Sequence, residues 1–379
     1  MSKNIVVCCD GTANEFAKNR TNVVKLFATL HKDPQVQMTY YHPGVGTMAP
    51  PGFVTRAGAT VAQIAGLVFG YALDRDVQDI YIYIANNFEP EDRVFLFGFS
   101  RGAYTVRAVA ALLHMYGLIP KFNEPLVPYA VRLMWKIHSA QIARAKTQST
   151  GGPLNEYFDL AAQFKDTFSR KCCPHFVGVW DTVSSVGWFA NPFSLPYTAN
   201  NPDIAIGRHA VAIDERRAFF RTNLWHAPPP PAESGPKDLK QVWFPGVHCD
   251  VGGGYPESES GLAKISLKWM AEEAKAAGLL IEEDKLSLIL GERGNGYAAP
   301  DANGMLHTSL TSAWRIAEYL PKPHWDGMTQ EWRANLGRAR TWPKAPIVHD
   351  AAWQREGNYS DRLPPDAMRL SALPNSQPA

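Results

Sequence analysis

The sequence predicts an α/β fold built on a doubly wound, mostly parallel sheet with helical insertions, and three features carry that reading. Short, nearly unbroken apolar runs recur along the chain, as expected of strands buried on both faces. Stretches with apolar residues at helical spacing separate them, which implies right-handed crossovers between parallel strands. The runs end at glycine, proline or aspartate, residues that punctuate strand ends. With 379 residues and 45% hydrophobic content, the chain can bury one large, elaborated core.

Taken in order, Asn4 to Cys9 reads as a fully buried strand closed by Asp10-Gly11-Thr12, and Asn22 to Leu30 as a helix. Gln37 to His42 is a second strand ending at Pro43-Gly44. A glycine- and alanine-rich stretch from Pro51 to Tyr71 leads into an amphipathic helix over Leu73 to Asn86, then a strand from Arg93. The apolar positions after Gly102 repeat at helical spacing. Pro125 to Gln148 reads as an inserted amphipathic helix carrying Arg132, Lys136 and Arg144; it either packs on the sheet or caps the site and meets an anionic lipid surface. Pro174 to Trp180 and Lys240 to Phe244 resume the strands, with a helix expected around Ile213 to Phe220 between them. The Pro228 to Pro231 run cannot enter a helix or central strand and reads as an exposed linker. Leu262 to Ala277 and Ser309 to Tyr319 read as further helices. The resulting division is one α/β domain over 1–345, with the helical insertion at about 120–170, and a loop-rich extension over 346–379.

Composition narrows the function classes. Lys+Arg 38 against Asp+Glu 36 leaves a formal charge of +2, and no basic stripe interleaved with aromatics stands out, so no nucleic-acid partner is expected. The N-terminal apolar run is too short for a secretory leader and no stretch is long enough to span a bilayer. Synthesis in the cytoplasm is expected, with export, if any, not needing a cleavable leader. Five cysteines, two of them adjacent at Cys8-Cys9 and two at Cys172-Cys173, make neither a disulfide framework nor a metal knuckle and read as small core residues. No cofactor and no resident metal are expected. Oligomeric state is left open.

The chemistry gathers around Gly98-Phe99-Ser100-Arg101-Gly102. An apolar strand running into G-x-S-x-G and out into a helix is a nucleophile elbow, in which a sharp turn pushes the serine hydroxyl out of the sheet. The two glycines are required because the turn leaves no room for side chains against the neighbouring strand and helix. Asp10, Ser100, Asp181 and His248 all fall at carboxyl ends of expected strands, where function collects in open α/β sheets. A serine hydroxyl at neutral pH needs an imidazole to take its proton and a carboxylate to hold that imidazole. The chain order Ser100, Asp181, His248 suits these roles, with His209 as a rival base. Two N–H donors for a developing oxyanion are expected from Arg101, next to the serine, and from Gly11 or Thr12 on the first strand's loop, with Asp10 orienting that loop. Asp250 reads as a structural partner of the Gly252-Gly-Gly254 turn.

Five segments together resemble a known family: Cys9-Asp10-Gly11-Thr12-Ala-Asn14, Phe97 to Tyr104, Gly178-Val-Trp180-Asp181-Thr182-Val183, His209 to Arg217, and Trp243 to Tyr255. They are similar to a large bacterial and fungal family of α/β-hydrolase domains, many uncharacterised, whose best-understood relatives are the type VI secretion phospholipase effectors. The resemblance spans roughly residues 3 to 360. It implies a Ser-Asp-His hydrolase of lipid or other carboxylic esters with Ser100 as nucleophile, and leaves open which histidine and aspartate complete the set. Two other readings stay open. A metal-dependent phosphoester hydrolase would use Asp10, Asp181, Asp250 and His248, but Cys8 occupies the position where such phosphatases place a second aspartate. A catalytically inactive binding protein on a hydrolase fold is the other.

Overall fold

The computed structural model describes residues 2–11, 19–44, 61–147, 152–183, 195–225, 235–294, 296–310, 315, 318–319, 322–325 and 330–373. Six strands form the bulk of the sheet: β1 (Asn4–Cys9), β2 (Gln37–His42), β3 (Arg93–Phe99), β4 (Pro174–Trp180), β5 (Ile206–Ala212) and β6 (Asp238–Phe244). A hairpin of β7 (Lys322–Trp325) and β8 (Gln330–Arg333) stands apart as its own antiparallel pair. Two short strands, β9 (Ile347–Val348) and β10 (Met368–Arg369), then extend the main sheet beyond β6. The eight-stranded sheet runs β10-β9-β6-β5-β4-β3-β1-β2, and every pair in it is parallel. The stretch over 346–379, expected as a loop-rich extension, thus supplies sheet strands as well as loops.

The central strands are apolar on both faces because both are covered. In β1, Ile5, Val7 and Cys9 point into one core with Val94, Leu96, Val177 and Val179. Val6 and Cys8 point into the other with Phe95, Phe97, Phe176 and Trp180. This period of two is that of a pleated strand. On the first face lie α2 (Val61–Asn87), α3 (Arg101–Tyr116), α4 (Val127–Thr147) and α5 (Leu154–Phe168). On the second lie α1 (Asn22–Thr29), α7 (Gly261–Ala276) and α8 (Glu283–Ile289), with the short α6 (His248–Gly252) leading into α7. Both cysteine pairs enter this account as free thiols, with Cys8, Cys9 and Cys172 buried.

Two expectations need adjusting. The segment before Phe220 is not a helix: β5 occupies Ile206–Ala212, and only a single 3-10 turn at Ala218–Phe220 follows. The expected helix over Pro125 to Gln148 is α4, but a second one, α5, completes the insertion. Leu133, Met134 and Ile137 of α4 join the core that holds Met115 and Tyr116 of α3 and Phe164 of α5, so the apolar face of the insertion is buried against the helical layer. Most of the Ser309 to Tyr319 segment and the Pro228 to Pro231 run lie outside the described residues.

The strand order places the site. From β1 the chain steps outward to β2, then back across β1 to β3, so the winding direction reverses between β1 and β3. Ligand crevices in doubly wound sheets open at that switch point, beyond the carboxyl ends of the strands. Parallel pairing runs one residue past these ends: Asp10 N–H donates to His42 O (2.9 Å), Ser100 N–H to Trp180 O (3.0 Å) and Asp181 N–H to Ala210 O (2.7 Å). Asp10, Ser100 and Asp181 therefore stand on one edge of the sheet.

Candidate active site

Ser100 joins β3 to α3 with φ 59° and ψ −117°, a backbone conformation that a residue with a side chain adopts only when its surroundings force it. The flanking glycines show what forces it. A Cβ on Gly98 would sit 2.5 Å from Gly102 O, and one on Gly102 would sit 2.3 Å from Cys9 O. Strand, turn and helix backbone are in contact, so neither position has space for a methyl group. Gly102→Ala is expected to lose about 1–3 kcal/mol of stability, measured as a lower urea midpoint, because the atoms it meets are main chain and cannot swing away.

Asp181 follows β4 at φ 37°, also left-handed, and is fully buried. Its Oδ2 accepts from His248 Nδ1 at 2.6 Å. Because an ionised carboxylate only accepts, Nδ1 carries a proton, and in the neutral ring the lone pair is then on Nε2. The His248 ring lies 4.6 Å (centroid to centroid) from Phe99, the residue before Ser100, and 4.8 Å from Phe220. Phe99 is itself held from behind, since a Cβ on Gly252 would fall 1.9 Å from its ring. The main-chain N–H of His248 donates to Glu215 Oε2 (3.2 Å), a carboxylate paired with Arg217.

A guanidinium from the far end of the chain completes this cluster. Arg340 Nη1 donates to Asp181 Oδ1 (2.5 Å) and Nη2 to Oδ2 (2.9 Å). The same two nitrogens reach the carbonyls of Ala212 (2.9 Å) and Phe220 (2.6 Å). Burial by itself would push the Asp181 carboxyl up, but the charge of Arg340, followed by the His248 hydrogen bond, outweighs it and holds the group well below the ordinary carboxylate range. Neither Arg340 nor Glu215 was anticipated as a site residue. Arg340 lies in a polar, proline-rich stretch with no periodicity to mark it, and Glu215 follows β5, a strand that Arg208 and His209 disguise in the sequence.

The other expected site residues fall differently. The N–H of Gly11 donates to its neighbour's carboxylate, Asp10 Oδ1, at 2.6 Å, so it is already engaged. Asp10 Oδ2 accepts from Thr21 Oγ1 (2.7 Å) and Tyr41 OH (2.9 Å), which ties the β1 loop to α1 and β2. Thr12 lies outside the described residues. Arg101 is the first residue of α3, where the helix leaves its early N–H groups without helical acceptors. His209 sits fully buried in β5: Nε2 accepts from Thr182 N–H (3.1 Å), and Nδ1 lies 3.3 Å from Gln241 Oε1. Burial, then the nearby Arg107 charge, pulls its pKa down to about 3, so the ring is neutral with both nitrogens in use. The Asp250 carboxylate is bound to other groups than the Gly252–Gly254 turn: it accepts from Val247 N–H (3.0 Å), ahead of α6, and grips His307 Nδ1 (2.6 Å). Asp10, Asp181 and Asp250 are thus held in three separate networks. Among the described residues no group of three His, Cys, Asp or Glu side chains is arranged to hold a metal ion.

The fold and site define a doubly wound α/β protein with a strained serine at a strand-to-helix turn and a histidine–aspartate pair beside it. The chain belongs to the type VI secretion phospholipase effector Tle1-like family: the model of that family's catalytic domain matches residues 3–273. An uncharacterized protein of Saccharomyces cerevisiae, YEL023C, is 34% identical over 227 residues, which is 58% of this chain and 32% of that protein. The chain therefore spans about a third of the length of this curated relative. An uncharacterized Pseudomonas aeruginosa protein of known crystal structure is similar at 17% identity and a TM-score of 0.45, covering 74% of this chain and 46% of that one. The Tle1 effector, solved bound to the VgrG spike of the type 6 secretion system, is similar at 18% identity and a TM-score of 0.34, covering 69% of this chain and 52% of that one.

Proposed function

We propose that the chain is a serine hydrolase of carboxylic esters in lipids, phospholipids first among them, working through an acyl-enzyme. The observation that carries this is the 2.6 Å hydrogen bond from His248 Nδ1 to Asp181, made beside the left-handed serine that ends β3. In this reading His248 Nε2 takes the Ser100 proton as Oγ bonds to the ester carbonyl carbon. Collapse of the tetrahedral intermediate breaks the bond to the alcohol oxygen, which leaves with that proton. Water, activated by the same nitrogen, then hydrolyses the acyl-serine and regenerates the hydroxyl. Asp181 fixes the tautomer that leaves Nε2 free to accept and favours the imidazolium that forms. The N-terminal N–H groups of α3, beginning with Arg101, face the developing oxyanion. The Gly11 N–H is committed to Asp10 and is not a second donor in this scheme. Family membership supports the phospholipid assignment.

Profiling purified protein against a phospholipid panel and short-chain p-nitrophenyl esters tests the reading. Hydrolysis blocked by a fluorophosphonate that labels Ser100 is the expected result; chelator-sensitive phosphoester hydrolysis without labelling would overturn it. The base is tested separately. His248→Ala is expected to lower kcat by about 10⁴-fold or more, whereas His209→Ala should act on stability and leave the pH profile in place. The reverse pattern would move the base to His209.

Peripheral contact with an anionic membrane belongs to the same proposal. Arg132, Lys136 and Arg144 are exposed along α4, and with Trp135 and Tyr157 they line a cleft between α4 and α5. No helix among the described residues is long and apolar enough to cross a membrane. Binding to vesicles containing anionic lipid is expected to weaken as salt rises from low to physiological strength, because surface attraction decays over roughly 8–10 Å there. Salt-independent binding, or none, would leave α4 as scaffold.

A further inference from the structure

We infer that Arg340 is a positioning residue for the histidine–aspartate pair, so that the segment after β8 finishes the active edge built by the first two thirds of the chain. This rests on the hydrolase reading above. The geometry is specific to that task. Both guanidinium nitrogens that can form a fork do so, each to a different oxygen of Asp181, and each reaches on to one main-chain carbonyl. One of these carbonyls, Ala212 O, ends β5; the other belongs to Phe220, whose ring packs edge-on against His248. A single side chain thereby fixes the carboxylate that holds the imidazole and the turn that flanks it. The planar fork of arginine suits bidentate binding of a carboxylate, which a lysine point charge cannot reproduce.

The segment that delivers Arg340 is itself anchored to the same edge. Val348 of β9 pairs with Trp243 of β6. Tyr359 OH donates to Asp214 Oδ2 (2.5 Å), and that oxygen also accepts from Gly246 N–H (2.8 Å), two residues before His248. Arg340 lies outside residues 3–273, the part matched by the family model. The matched part thus contains Ser100, Asp181 and His248 but lacks the cation that sits on Asp181.

Two effects follow from a cation shared with the histidine's carboxylate. It restrains Asp181 in the orientation that accepts from Nδ1. It also offsets part of the negative charge that Asp181 places beside His248. The other charged groups around His248 are Glu215 after β5, with Arg217 paired to it, and Asp250 on α6 with His307 bound to it. None of these touches Asp181 among the described contacts, so removing Arg340 changes the one charge that acts through the carboxylate.

The test follows the His248 ring by NMR, identified by its loss in His248→Ala, in the full chain and in Arg340→Met and Arg340→Lys. In Arg340→Met the ring titration and the acid limb of kcat/KM are expected to move together to higher pH, with kcat falling about 10- to 100-fold. Arg340→Lys keeps a charge but not the fork. It should leave the titration near its original pH and recover only part of kcat. An unmoved His248 titration in folded Arg340→Met overturns the inference, as does full activity with an unmoved acid limb. If Arg340→Met does not fold, Arg340→Lys decides: unchanged kcat would show that the fork is not needed. A failure of the hydrolase reading is distinguished by Ser100→Ala, whose activity is measured alongside, because the ring titration does not depend on turnover.

Discussion

Ser100→Ala is expected to remove ester hydrolysis, lowering kcat/KM by about 10⁴-fold or more, without unfolding the chain. The two halves of this expectation have separate causes. The hydroxyl is the atom that would bond to the acyl carbon, and it belongs to the residue that follows Phe99, whose ring packs against His248. The fold does not depend on the hydroxyl, because the strain at φ 59° is held by backbone packing between Gly98, Gly102 and the end of β1. Alanine has the same preferences there as serine, so the substitution neither adds nor relieves that strain. Ser100 retains 8% exposure, against 3% for His248 and 0% for Asp181, so it is the member of the set that solvent and substrate reach first. Thermal unfolding should move by no more than a few degrees. Fluorophosphonate labelling should vanish together with turnover, and any activity retained at wild-type level would place the chemistry elsewhere.

What could be read in the sequence, and what could not, follows from where each residue finds its partners. β1, β3 and β4 were legible because a strand buried on both faces must be apolar along its length, and β6 from its buried end, Val242-Trp-Phe244. β5 was not, because Arg208 and His209 interrupt Ile206–Ala212. The fold accommodates both by distant pairing: Arg208 Nε meets Glu273 of α7 at 2.5 Å and Nη2 meets Asp238 of β6 at 2.6 Å, while His209 takes the Thr182 N–H. No local pattern encodes partners that lie 27 to 65 residues away. The elbow was legible for the opposite reason, since the clash that demands its glycines arises within five neighbouring residues and one adjacent strand. Gly11 was expected as an oxyanion donor from its loop position alone; the 2.6 Å bond to Asp10 Oδ1 depends on a rotamer that the sequence does not specify. Arg340 is the extreme case, 159 residues from Asp181 and with no motif around it.

Asp181→Asn is expected to reduce both catalysis and stability, and their pH dependence separates the two losses. The amide is nearly the same shape as the carboxylate, but it has one accepting oxygen where Asp181 offers two, and those two serve His248 and Arg340 together. If the amide nitrogen turns toward the ring, His248 must accept there, which moves its proton to Nε2 and removes the base; loss of tautomer control of this kind costs about 10⁴-fold in kcat. The substitution also leaves Arg340 as a buried cation without its counter-charge, an arrangement that costs about 3–5 kcal/mol. The sign of the pH effect is fixed by the depressed carboxyl. Its contribution to stability is fully present above the unfolded aspartate value of about 3.9, and it is lost as pH falls toward the still lower folded value. The stability gap between wild type and Asp181→Asn, measured by urea unfolding, should therefore be constant through neutral pH and narrow below about pH 4. The loss in kcat should instead persist across the whole range in which both chains stay folded, because protonation does not restore the tautomer. A gap that widens on acidification would mean that Asp181 is protonated in the folded chain, and the pairing with His248 and Arg340 would then have to be redrawn.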